Sequence, residues 1–276
     1  MLNQMRRDDS PEMSAAASRV TPLILTFNEE PNLRRTLRAL AWAHEVVIVD
    51  SGSTDQTIEI ARSFSNVRVV ERPFDSHGRQ WEFGVRNTGI TTEYVMALDA
   101  DMEVPADFVV ELDRRFLPGA FAGGVVRFQM VYEKRALAGG IYPAQLRIFR
   151  RDAVLVSQRG HTQVFQIDGA TYSFKARIRH EDWKPFSRWI LAQLKYAHLE
   201  LERIESSAHV SWRDRLRRLG LMPIAVGILS YMRAGGPLLG KASLRYALER
   251  TVFECLLGLQ LIERKSAVED SRCTRL

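Results

Sequence analysis

The residues best suited to chemistry in this chain are Asp99 and Asp101, which close the apolar run Tyr94-Val95-Met96-Ala97-Leu98. The run reads as a buried parallel strand, and ligands of open α/β sheets sit outside the carboxyl ends of such strands. Two carboxylates there are costly unless a cation or a hydrogen-bonding ligand meets them. One reading is a divalent metal carrying a diphosphate. The other is a solvated strand end whose acids cap the following turn.

Two further strand ends carry acids. Val20 to Thr26 is β-rich and runs into Thr26-Phe27-Asn28-Glu29; Glu45 to Asp50 runs into Asp50-Ser51-Gly52-Ser53-Thr54-Asp55. Pro22 suits a strand start better than a central position. Asn28 reads as the N-cap of a helix with Glu29 and Glu30 in its first turn. Leu33, Leu37 and Leu40 then recur at helical spacing. Val67 to Val70 is a third strand, and His77 to Thr88 a helix carrying Arg79. After the Asp99 strand, Pro105 opens a helix with Phe108, Val109, Leu112 and Phe116. This alternation predicts a parallel, doubly wound sheet with helices on both faces. No G-x-G-x-x-G follows the first strand, which argues against hydride transfer, and the Walker lysine motif is absent.

Beyond Pro118-Gly119 the pattern changes. Gly123 to Tyr132, Gln145 to Phe149 and Thr171 to Ile178 read as strands with mixed or antiparallel pairing, and Trp183 to Ile204 reads as helical. The expected organisation is a nucleotide-binding half over residues 19–117 and an acceptor half over 118–205.

A chain of 276 residues suits one α/β domain with an appendage. It carries 39 Lys and Arg against 33 Asp and Glu; 12 and 6 of these lie beyond residue 205, leaving the first 205 residues balanced at 27 each. A basic, apolar-rich tail over residues 206–276 is drawn to anionic surfaces, lipid headgroups or nucleic acid. Its uncharged run Leu219 to Met232 falls short of the roughly 20 residues that span a bilayer. Leu244 to Ile262 forms a second apolar helix. Such segments lie in a membrane interface or pack as a helical hairpin on the main domain. Cys255 and Cys273 have no metal-ligand company and form no disulfide framework, which points to a reducing compartment. Residues 1–18 lack the apolar core of a signal peptide and read as a flexible leader.

Taken together, Thr26-Phe27-Asn28-Glu29, Asp50-Ser51-Gly52-Ser53-Thr54-Asp55 and Asp99-Ala100-Asp101 resemble family 2 glycosyltransferases of the GT-A fold, over roughly residues 20–135. Within that family the chain is similar to bacterial enzymes that add hexoses to lipopolysaccharide core or exopolysaccharide precursors. The resemblance implies inverting transfer from a nucleotide sugar, a UDP-hexose, assisted by Mn²⁺ or Mg²⁺. It makes Asp101 the metal ligand and puts Asp99 on the ribose or in the metal's water shell. It makes Asp50 the acceptor for the uracil N–H, with Thr26, Asn28 and Glu29 around base and ribose. Arg79 pairs with base or phosphate, or is a solvated helix arginine.

An inverting transferase needs a carboxylate base. The family's Glu-Asp pair corresponds to Glu181-Asp182, making Asp182 the base unless it is a helix N-cap; Asp168 is the second candidate. Relatives carry an earlier His-Glu pair, where this chain has Arg159-Gly160-His161-Thr162-Gln163 and no carboxylate. His161 is read there as a metal or phosphate contact, or as a structural histidine. The implied acceptor is lipid-linked or a polysaccharide. That places the protein peripherally at the cytoplasmic face of the inner membrane, its tail in the interface, with no nucleic-acid partner. Two rival readings are a non-catalytic membrane-surface binding protein of the same fold and a haloacid-dehalogenase-like phosphatase. Glu103, two residues after Asp101, disfavours the phosphatase.

Overall fold

The computed structural model describes residues 14–159, 162–206 and 211–273. A short helix, α1 (Ala15–Arg19), leads into β1 (Val20–Thr26), α2 (Glu30–Arg38), β2 (Val46–Asp50), α3 (Thr57–Arg62), β3 (Val67–Glu71), α4 (His77–Asn87) and β4 (Tyr94–Asp99). Next come β5 (Met102–Glu103) and α5 (Ala106–Glu111), which continues as a π-helical turn over Leu112–Phe116. The second half holds β6 (Gly123–Tyr132), β7 (Arg135–Ala136), β8 (Gln145–Arg150), β9 (Leu155–Arg159), β10 (Thr162–Gln166) and β11 (Thr171–His180). Helices α6 (Phe186–Ser206), α7 (Trp212–Arg218), α8 (Met222–Ala234) and α9 (Lys241–Cys273) follow.

The main sheet runs β3-β2-β1-β4-β8-β6-β11-β5. Its first four strands are parallel, as the β/α alternation requires. Strand β8 is antiparallel to both β4 and β6, β11 is parallel to β6, and β5 closes the edge antiparallel to β11. The expected doubly wound mixed sheet with a C-terminal helical appendage is therefore present. Pro22 sits inside the sheet, yet pairing with β2 begins only at Leu23, so the proline lies where β1 has one neighbour.

Both faces of the parallel strands are buried, and this explains their unbroken apolar runs. Leu33 and Leu37 of α2, Ile60 of α3 and Phe108 of α5 cover one face, against Ile24, Ile48, Met96 and Leu98. Trp81 and Val85 of α4 cover the other, against Leu23, Val47, Val95 and Ala97. The β9–β10 hairpin packs on this second face through Val156 and Phe165. The leader expected to reach residue 18 is packed from Ser14 onward: Ala16 and Ala17 are buried, and the Ala16 amide donates to Asp113 at 2.6 Å.

The second half is built on two register breaks. In β8 the pairing with β6 jumps from Gly124↔Ile148 to Val125↔Leu146, so Arg147 is the extra residue of a bulge. In β11 the pairing jumps between Ser173 and Arg177. The amides freed there donate to Glu111, from Lys175 at 2.9 Å and Ala176 at 2.8 Å, and the Tyr172 hydroxyl joins them at 2.7 Å. Glu111 thereby satisfies what would be orphaned backbone donors. Beyond this break β11 regains its register and delivers His180 opposite Met102 and Met130.

Candidate active site

The acids at the ends of β2 and β4 meet different fates. Asp50 is fully buried. One of its oxygens accepts from the Gly52 and Ser53 amides at 2.9 and 2.8 Å. The other accepts from the Thr26 and Ser53 hydroxyls at 2.7 and 2.6 Å. A carboxylate offers about four lone-pair sites, and here protein groups fill them all. Asp50 holds the 51–55 turn against β1. To receive a base N–H it would have to release one of the hydroxyls.

Asn28 belongs to the same lock and does not cap α2. Glu29 occupies the cap position, without a side-chain cap bond. Asn28 has φ +55°, a left-handed conformation that asparagine tolerates. Its Oδ1 accepts from the Thr54 amide at 2.7 Å and the Asp55 amide at 3.3 Å, and its own amide donates to Ser53 Oγ at 2.7 Å.

Asp101 is nearly buried and only half satisfied. His180 Nε2 donates to Oδ2 at 3.1 Å, while Oδ1 is buried with no partner. Burial opposes ionisation of Asp101, but the charge and hydrogen bond of His180, with Lys184 behind them, hold it below the usual carboxylate range. Burial likewise pulls His180 down, and Asp101 outweighs it, so the imidazole is raised above its ordinary value.

Asp99 faces elsewhere. It is paired side-on by the Arg147 guanidinium at 3.3 and 3.2 Å. Arg147 is buried, its Nε donates to Gln145 at 2.9 Å, and its guanidinium lies 5.6 Å from the Phe128 ring centroid. The β8 bulge aims it there.

A third group joins α2 to the segment after β11. The Glu29 carboxylate accepts from Lys184 Nζ at 2.8 Å and from Asn32 Nδ2 at 3.0 Å. Burial pushes the Glu29 carboxyl up, against the Lys184 charge. Burial alone would lower Lys184; Glu29, Asp101 and Asp182 together raise it. Asn32 is fully buried; it donates to Asp182 at 2.8 Å and accepts the Trp183 amide at 2.8 Å. Asp182 also accepts the Lys184 amide at 3.0 Å, so it closes the turn before α6, whose first amides instead bond Pro185 O. Arg35 stacks 4.1 Å from the Trp183 ring centroid and bonds the Glu181 carbonyl.

Thr26, Asn28, Glu29, Asp50, Asp99, Asp101 and Asp182 thus gather at one end of the sheet. Arg79 does not join them: its side chain is 79% exposed and stands 3.8 Å from Asp75. Its neighbour Gln80 turns inward instead, donating to Ser51 Oγ at 3.1 Å. Asp168 lines a cavity of about 530 Å³ with Val125, Leu146 and Phe165, a lining that contains none of the strand-end acids. His161 lies outside the described residues. His180, Arg147, Lys184 and Asn32 are the members that sequence reasoning left out. Among the described residues no group of three or more His, Cys, Asp or Glu could hold an ion alone. Mg²⁺ and Mn²⁺ take one or two carboxylates and fill the rest with phosphate oxygens and water. The bare oxygen of Asp101 fits that requirement.

Among curated proteins, an uncharacterized glycosyltransferase of Rickettsia bellii is 30% identical over 99 residues, 36% of this chain and 33% of the relative. The chain thus spans about a third of the length of the Rickettsia relatives it matches. The lipopolysaccharide core biosynthesis glycosyltransferase LpsC of Rhizobium meliloti is 22% identical over 260 residues, 89% of this chain and 92% of LpsC. Among solved structures, S. aureus TarS 1-349 in complex with UDP-GlcNAc is similar with a TM-score of 0.48 at 14% identity, covering 86% of this chain and 90% of that one. Residues 23–178, more than half the chain, match the family model for glycosyl transferase family 2. The chain belongs to glycosyl transferase family 2.

Proposed function

We propose that this glycosyltransferase moves a hexose, with inversion, from a UDP-hexose to a lipid-linked or polysaccharide acceptor in bacterial surface-glycan synthesis. The observation that carries the reading is the unpartnered, buried oxygen of Asp101 at the ligand-binding end of β4. The near full-length likeness to LpsC supports the acceptor class. Family membership replaces the phosphatase reading.

Asp101 would hold Mn²⁺ or Mg²⁺, and the ion would neutralise charge on the departing diphosphate. Asp99, steadied by Arg147, faces the nucleotide, and Thr26, Asn28 and Glu29 form the wall beside it. Asp182 takes the proton of the acceptor hydroxyl as that oxygen bonds to the anomeric carbon. The carbon–oxygen bond to the diphosphate breaks, and its electron pair leaves with UDP. Lys184 Nζ stands 3.6 Å from Asp182 and places a cation beside the base.

The test is a panel of nucleotide sugars scored by saturation-transfer NMR with Mg²⁺, followed by UDP release in the presence of an acceptor extract. A UDP-hexose should bind only with metal. Absence of binding by every UDP-sugar defeats the reading, and binding without UDP release favours a non-catalytic surface protein. Asp182→Asn should retain donor binding and stop transfer; unchanged turnover removes Asp182 as the base.

A further inference from the structure

The helical tail has two unlike faces. Its inner face is packed: Tyr246 contacts Met130 and Leu137, and Leu257 contacts Ala197, Leu201 and Ile204 of α6. All the acids between residues 211 and 262 are on this side and paired. Asp214 meets Arg217 at 3.0 Å, Glu254 meets Arg217 at 2.8 Å, and Glu249 meets Arg245 at 3.1 Å.

The outer face is of another kind. From Trp212 to Ile262 every exposed residue is apolar, a glycine or a cation. Helix α8 presents Ile224, Ile228 and Met232 at helical spacing, each more than 60% exposed. Helix α9 presents Leu244 and Leu248, and Leu238 at the tip between them is 90% exposed. An apolar surface of this extent on a soluble face marks an interaction site. Arg213, Arg215, Arg218, Arg233, Lys241 and Arg245 are the exposed charges between Trp212 and Ile262. Trp212, 65% exposed with Arg213 over its ring at 5.4 Å, has the amphipathic character of an interfacial anchor.

We infer that the α7–α9 face lies in the interface of an anionic membrane, its leucines and isoleucines below the headgroups and its arginines among them. Charge decides between occupants. A second copy turned face to face would bring cations against cations, since no carboxylate between residues 211 and 262 is exposed, whereas an anionic bilayer supplies both apolar depth and negative charge. No helix among the described residues is long and apolar enough to cross a membrane; a face of this pattern needs only to lie on one. The inference is independent of the transfer chemistry.

The experiment is co-sedimentation of the full chain with vesicles of phosphatidylglycerol and phosphatidylethanolamine, against vesicles of phosphatidylcholine alone. The protein should partition at least tenfold more strongly to the anionic vesicles. Ile224→Glu combined with Ile228→Glu should cut that partitioning at least tenfold, and Arg213→Glu with Arg218→Glu should remove the preference for anionic lipid. The melting temperature of each variant checks folding. Equal binding by parent and Ile224→Glu/Ile228→Glu overturns the inference. So does a parent that ignores vesicles but forms a dimer that these substitutions dissociate.

Discussion

Asp50 and Asp101 stand at the same end of β2 and just past β4, the two strands that flank β1, yet they have opposite fates. Four protein donors saturate Asp50. His180 meets one oxygen of Asp101, and nothing meets the other. A carboxylate at a strand end therefore says little until its lone pairs are counted. The saturated acid is part of the scaffold; the half-open one is free to take a ligand.

The largest effect that separates them is on turnover. Asp101→Asn should lower the rate of UDP release by about 10²–10³-fold, the cost of losing one preorganised charge at a developing anion, while the urea midpoint falls less than in an Asp50 variant, since only His180 loses a partner. A fall in midpoint as deep as that of an Asp50 variant would make Asp101 scaffold as well. Asp50→Asn should do the reverse of its counterpart on stability. Its Nδ2 would face the Thr26 and Ser53 hydroxyls, which must reverse from donating to accepting, and the charge-assisted bonds would be lost, at about 1.5–3 kcal/mol. Urea unfolding measures it, and an undiminished midpoint would break the comparison from the other side.

Arg147 tests the member between the two. Arg147→Lys keeps the charge but loses the two-pronged bond to Asp99. The KM for the nucleotide sugar should rise about tenfold, roughly 1.4 kcal/mol, with kcat little changed. An unchanged KM would leave Asp99 indifferent to its partner.

The smallest effect is in the tail. Burial raises Asp214, but the Ser211 hydroxyl and Arg217 outweigh it and hold the folded carboxyl below its ordinary value. With the folded value depressed, its contribution to stability is complete above about pH 3.9 and is lost as pH falls from there through the folded value. The melting temperature should therefore owe nothing to Asp214 titration between pH 5 and 8. Asp214→Asn should remove any loss specific to acid, and an acid limb that survives unchanged in that variant belongs to other groups.

The strands were legible because both faces of β1, β2 and β4 are buried and punctuated by turn residues. Val20–Thr26 and Gly123–Tyr132 coincide with their expected bounds. Asn28 misleads because its local signal, an Asn ahead of two glutamates, fits a cap. Its actual partners lie some 26 residues away, in a turn that local spacing does not bring near. The β9–β10 hairpin carries no strand expectation, since Leu155 to Gln166 shows no clear alternation. Arg147 and His180 were hidden for a common reason. Each is aimed by a register break, and register depends on pairing partners rather than on the strand's own residues. His180 stood beside the singled-out Glu181-Asp182 pair; only the β11 register brings it to Asp101.

The bulge in β8 has a consequence of its own. Arg147 leaves the regular pleat because β8 has one residue more than β6 requires there. A substitution at 147 costs a side chain, but a deletion would let the pleat close. Gln145 and Leu146 would keep their partners Val126 and Val125, and Leu146 its place beside Phe165 and Ile167, so the deletion would leave a regular sheet and remove only the arm that reaches Asp99. The one residue β8 could lose without disturbing its neighbours is the one that reaches Asp99.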